Sequence, residues 1–193
     1  MSMTITGFSD MQLFVHRANR CRSNNHYLIT ADKRYPQRLD GKKEGCYICH
    51  GKADVFYVGS APYFSFWRDI LACVFYERCL ITRDKKPTEE IVRSGERYLE
   101  QHFRSSRPFL TLLFKGYNGS IGPKTSRELA QEFALNAGIF KGRLPGVLKR
   151  WGKVVRQQNR GWHLDEQGCI EFYARLQQVF ELASQNGFVT FCS

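Results

Sequence analysis

The sequence predicts an α+β fold in two lobes. Residues 1–104 form an N-terminal mixed lobe around a β-hairpin, and residues 105–193 form a C-terminal lobe ending in a long helix. Three observations predict this. Two short runs rich in Tyr, Phe, Val and Cys flank the turn-like "HGKAD". Apolar residues recur at helical spacing in three segments after residue 123. Between the two regions lies "RSSRP", residues 104–108, with the composition of a linker.

Taken in order, residues 1–44 are polar and irregular, with "DMQLFVHRANR" spaced as a short helix and "HYLIT" as a strand. "EGCYICHGKADVFYVGS" is strand, turn, strand, which gives a β-hairpin over about 46–58. "YFSFWRDILACVFYERCLI" is apolar on almost every face, which predicts a buried helix over about 64–76 that gives way to a strand near Cys79 to Ile81. A second helix is expected over about 88–103, where Thr88 caps and Glu89 and Glu90 suit the positive end. "PFLTLLFKGYNGSIG" is a short apolar element closed by a Gly/Asn turn. "KTSRELAQEFAL" starts with a Thr or Ser cap and places Leu129, Ala130, Phe133 and Ala134 on one helical face, and "NAG" then turns the chain. In "IFKGRLPGVLKRW", Leu144, Val147, Leu148 and Trp151 face inward and the cations outward, with the helix proper starting at Pro145. "GKVVRQQNRGWHL", residues 152–164, has the pattern of a two-stranded hairpin with a cationic tip, and "LDEQGCIEFYARLQQVFELASQ" closes the chain as a long amphipathic helix.

Composition narrows the function. Lys and Arg number 29 against 18 Asp and Glu, a formal charge of +11 that points to a polyanion, with nucleic acid first. No run approaches the roughly 18 apolar residues of a spanning helix, and the N-terminus lacks a basic start leading into an apolar stretch, so a cytoplasmic protein without membrane contact is expected. Seven cysteines are an odd number in such a chain, which predicts reduced thiols or a metal site and no structural disulfides.

The strongest functional signal lies in residues 141–160, which hold seven basic side chains and no acid: Lys141, Arg143, Lys149, Arg150, Lys153, Arg156 and Arg160. Gln157, Gln158 and Asn159 add amide donors and acceptors suited to phosphate or base edges. Two helices, a short turn and a basic hairpin over about 107–166 resemble the winged helix-turn-helix family of DNA-binding domains. "TSRELAQEFALNAG" stands for the support helix and turn, "LPGVLKRWGK" for the recognition helix, and "KVVRQQNRGWHL" for the wing. The resemblance implies a winged-helix-like C-terminal lobe whose second helix enters the major groove while the wing lies along a phosphate strand. Gly142, Pro145 and Gly146 are poor helix-interior residues and depart from that pattern. "SIGPKTSREL" also resembles half of a helix-hairpin-helix phosphate loop, with Ser120 where that pattern has Gly.

Two further readings concern the N-terminal lobe. "GCYICHGKADVFYVGSAPYFSFWRD" resembles the start of the GIY-YIG nuclease family. The resemblance implies a Mg²⁺-dependent DNA phosphodiesterase in which Tyr47, Tyr57 and Arg68 surround the scissile phosphate and Glu96 binds the metal. Cys46 in place of an aliphatic residue and the short gap from Arg68 to Glu96 depart from the family. "CYICH" alternatively has the spacing of a zinc knuckle, with Cys46 and Cys49 completed by Cys21 and His26 or by Cys73 and Cys79. A regular strand sends residues 46 and 49 to opposite faces, so zinc requires a turn where the nuclease requires a strand. The sequence thus favours a double-stranded DNA-binding protein over an enzyme. It leaves open the nuclease and a noncatalytic, zinc-containing subunit of a mobile-element or defence (CRISPR-type) nucleoprotein complex. RNA or ribonucleoprotein is a further partner class, and oligomerisation or a protein partner would use the N-terminal lobe or the terminal helix.

Overall fold

A computed structural model describes residues 2–15, 24–33, 36–76, 109–113, 118–158 and 165–192, with the backbone alone over 151–158. Helices and antiparallel sheets are both present, so the chain is α+β as the sequence predicts. The strands are β1 (Ser2–Phe8), β2 (Met11–Val15), β3 (His26–Ile29), β4 (Gly45–Cys49), β5 (Ala53–Ser60), β6 (Gly119–Ile121) and β7 (Phe188–Cys192). The helices are α1 (Ala61–Tyr76), the single turn α2 (Leu110–Leu113), α3 (Pro123–Gln158) and α4 (Glu166–Ala183).

A four-stranded sheet has the order β5-β1-β7-β6 and a three-stranded sheet the order β2-β4-β3. The expected division at residue 104 is not followed: the C-terminal β7 lies between β1 and β6, and one apolar core contains Met3, Ile5, Trp67, Phe133, Leu176 and Phe191 alike. The alternation in "SMTITGF" explains why β1 belongs there, since Met3 and Ile5 are fully buried while Ser2, Thr4 and Thr6 take the other face.

The expected hairpin over 46–58 is also corrected. Both strands exist, but β4 pairs with β2 and β3, and β5 pairs with β1. The segment expected as a helix at "DMQLFVHRANR" begins as β2. The pairs form one long ribbon that bends where Phe8 lies opposite Ala53 and Met11 opposite Cys49. At the bend the Ser9 amide donates to the Lys52 carbonyl (2.9 Å), the Lys52 amide to Ser9 Oγ (2.8 Å) and the His50 amide to the Asp10 carbonyl (3.0 Å). These bonds satisfy the corner's backbone, and Phe8, Met11, Ile29, Leu39, Tyr47 and Phe188 fill the angle beneath it as a second core. Gly187 fits because a Cβ there would stand 1.7 Å from the Phe8 carbonyl oxygen.

Two helices, a turn and a wing were expected over 123–164. Residues 123–158 instead form one helix, with no turn at "NAG" and no strand over 152–158; residues 159–164 lie outside the described residues, as do the helix expected over 88–103 and the strand near Cys79. The reason is the core stripe: Leu129, Phe133, Ala137, Phe140, Leu144 and Val147 stay on one side at 3.6-residue spacing, so helix and burial continue through the glycines. Pro145 lacks the N–H that would bond to the Lys141 carbonyl, a cost of about 3 kcal/mol in an isolated helix. Burial of Phe140 and Leu144 offsets it.

The start of α3 is fastened from outside. Asp40, in a left-handed conformation (φ 56°), accepts from the Thr125 amide at 2.9 Å and the Thr125 hydroxyl at 2.6 Å, and the Gly122 amide donates to the Arg38 carbonyl at 2.7 Å. Replacing Asp40 by Ala removes this cap and is expected to lower the unfolding free energy by about 1–2 kcal/mol. Urea denaturation checks it; an unchanged midpoint would show that the first turn of α3 stands without Asp40.

Candidate nucleic-acid interface

Helices α3 and α4 run antiparallel. Arg127 Nη2 donates to the Ser184 carbonyl near one end, Phe133 lies 5.9 Å from Phe180, and Phe140 stacks on Tyr173 at 4.4 Å. Continuing that register puts Leu148 level with the start of α4, where Asp165 caps the helix by accepting from the Gly168 amide at 2.7 Å. Leu148 is the last described side chain packed on the core. Residues 149–158 therefore carry α3 past its partner by about 15 Å at 1.5 Å per residue.

This overhang and the two turns before it hold most of the basic residues singled out by the sequence. Lys141, Arg143, Lys149 and Arg150 are exposed on α3, and Lys153, Arg156, Gln157 and Gln158 occupy its last turns; Asn159 and Arg160 lie outside the described residues. No acid occurs between Glu132 and Asp165, whereas α4 carries exposed Glu166, Glu171 and Glu181. Charge is thus segregated between neighbouring helices. Arg143, though exposed, reaches back to the protein, its Nη1 donating to the Val74 carbonyl at 3.2 Å near the C-terminal end of α1, where a cation meets the negative end of the helix dipole.

Sequence reasoning treated Gly138, Gly142 and Gly146 as helix breakers and missed that they share the solvent face of α3. A Cβ at any of them would meet nothing within 4 Å. Leu135, 82% exposed, and Ile139 lie on the same side. Spacing of four residues, all off the apolar stripe, is the signal that would have found them. The phosphate-loop resemblance at "SIGPKTSREL" meets a different arrangement, because the Thr125 amide that would face an anion is bonded to Asp40.

The proposed nuclease residues are not gathered. Tyr47 is 3% exposed in the second core, with its hydroxyl donating to the Lys43 carbonyl at 2.8 Å; burial raises its pKa. Tyr57 is 66% exposed on β5 in the other sheet. Its neighbours Phe56 and Val58 face the core. Arg68, on α1, donates to the Leu113 carbonyl at 3.3 Å and lies 4.9 Å over the Phe64 ring. Glu96 lies outside the described residues.

The described residues of the zinc knuckle are not brought together. Cys46 is disulfide-bonded, against the expectation of reduced thiols, and so offers no thiolate. The Cys49 thiol donates to the Ser9 carbonyl at 3.4 Å, and burial raises its pKa. His26 packs on Phe14 at 4.9 Å, and Cys73 is buried and not in a disulfide. Cys21 and Cys79 lie outside the described residues, among which no three His, Cys, Asp or Glu side chains are clustered as metal ligands. No described helix is long and apolar enough to cross a membrane. The chain matches no protein-family model, curated protein or solved structure.

The acid that closes the acid-free run has an unusual environment. Glu132 accepts the Phe109 amide at 2.7 Å, holding that residue at a φ of 67°. Burial, aided by Glu128 and opposed by the amide bond, pushes its pKa from 4.5 up to about 7. The folded chain therefore retains a proton that the unfolded chain releases between about pH 4.5 and 7. The stabilisation linked to that proton is full below the unfolded value and is lost as pH rises through about 7. Glu132→Gln, which still accepts the amide bond, is expected to be more stable than wild type above neutrality, with the difference vanishing towards pH 5. Urea denaturation across that range measures it; a difference independent of pH would mean that Glu132 does not titrate in the folded chain.

Proposed function

We propose that the protein binds nucleic acid, double-stranded DNA in the first instance, along the second half of α3. The observation that supports this is the acid-free run of α3 carrying exposed Lys141, Lys149 and Arg150, continued by Lys153 and Arg156 on the overhanging turns. Each cation that meets a phosphate releases condensed counterions, so such a surface gains affinity for a polyanion. A single helix is also the right width: about 10–12 Å across, against a B-form major groove of about 12 Å. The reading keeps the cations of the winged-helix expectation and replaces its wing with a helix that runs past its partner. Neither the nuclease nor the zinc-containing subunit draws comparable support, since Tyr47 and Tyr57 lie in different sheets and Cys46 is oxidised.

Fluorescence anisotropy with labelled duplex DNA over a salt series tests the proposal. Lys149→Ala with Arg150→Ala is expected to reduce the slope of log affinity against log salt by about 2, while Lys124→Ala at the opposite end of α3 leaves it unchanged. An unaltered slope in the double variant would remove α3 from the binding site.

A further inference from the structure

Resting on that reading, the chemistry of the α3 surface also fixes what it recognises. Base identity is read in a groove by side chains that pair donors and acceptors with base edges, chiefly Asn, Gln and Arg. Between Glu132 and Arg150, Asn136 donates its amide to the Glu132 carbonyl at 2.8 Å and Arg143 donates to the Val74 carbonyl at 3.2 Å. Two side chains suited to base reading are thereby engaged by the protein's own backbone. Lys141 and Lys149 act as point charges that match phosphate without a directional fork.

We propose that this face of α3 binds duplex DNA through the sugar–phosphate backbone alone, without sequence preference. Charge decides the occupant. A second copy packed face to face through α3 would bring the same cations against these ones, whereas a phosphate strand complements them. The exposed backbone at Gly142, where a side chain would meet nothing of this protein, adds shape to the charge by letting a strand approach closely between Lys141 and Lys149. Arg150 and Arg156 have the chemistry to read guanine, and Gln157 and Gln158 lie beside Arg156 in the last turns, so these are the side chains the test must question.

Competition binding with duplexes of unrelated sequence and equal length tests the proposal. Affinities are expected to agree within about threefold, against the thousandfold or greater preference of specific binders. Arg150→Lys, which keeps the charge and loses the fork, is expected to shift the affinity for all of them by one common factor, so that their ratios stay as in wild type. Gly142→Leu, a better helix former that obstructs close approach, is expected to weaken every duplex alike by about tenfold with an unchanged salt slope. A preference of tenfold or more that disappears in Arg150→Lys, in Arg156→Lys or in Gln157→Ala with Gln158→Ala would overturn this inference while leaving DNA binding intact. Failure to bind any duplex at low salt would overturn the proposed function and this inference together.

Discussion

The antiparallel pairing of β1 with β7 is the constraint on which the other contacts depend. It joins the two ends of the chain at the centre of one sheet, so neither the N-terminal ribbon nor the helical hairpin completes its core without the other. The approach is close on both sides of the pair. A Cβ at Gly7 would stand 2.8 Å from the Val179 carbonyl oxygen, and one at Gly187 would strike the Phe8 backbone. Glycine at these positions lets α4 lie against β1 and lets the turn after α4 deliver β7 at the correct height. From that turn the Gln185 and Asn186 carbonyls accept from the Asp10 and Met11 amides, which ties the bend in the ribbon to the same place.

Once α4 is fixed on the sheet, the position of α3 follows. Tyr173 donates to the Phe133 carbonyl at 2.7 Å inside the core, and the rings of Trp67, Phe109, Phe180 and Tyr173 all meet that of Phe133, with Phe140 joined through Tyr173. Asp40 holds the opposite end of α3. A helix anchored over its first two-thirds projects its remainder in a defined direction, which is what a binding element needs if its charges are to meet a regular array of phosphates.

Much of this was legible in the sequence where the signal was local. The run from Tyr63 to Phe75 announced a buried helix, the spacing from Cys169 to Ala183 an amphipathic one, and "GCYIC" and "ADVFYVGS" two strands. What was not legible was pairing. Residues 50–52 look like a hairpin turn, and only the bend opposite Ser9 and Asp10 sends β4 and β5 to different sheets. The polar-looking "SMTITGF" conceals β1, because alternation over seven residues says little until β5 and β7 flank it. In α3, Gly138, Gly142, Pro145 and Gly146 have the composition of a turn. They are tolerated because burial on the opposite side of the helix outweighs their propensity cost. The candidate site was half visible: the cations were countable, but their placement on one extended helix, and the engagement of Arg143 at Val74, required the fold.

The separation of roles within α3 explains how its outer surface can carry residues that weaken a helix. Among the described side chains the stripe packed on the core is apolar and runs from Leu129 to Leu148, while a Cβ at Gly138, Gly142 or Gly146 on the outer side would meet nothing within 4 Å. Changes on the outer side alter charge and local propensity without opening cavities, so their effects on stability are small and nearly independent of the core. Phe140 and Leu144 are different, because truncating either leaves a void between α3 and α4 and loosens the helix that presents the cations. On the proposed reading, core substitutions would impair DNA binding through loss of the fold, and surface substitutions through the encounter with the polyanion itself. A chain with this division can change its outer surface without altering the packing that holds the helix in place.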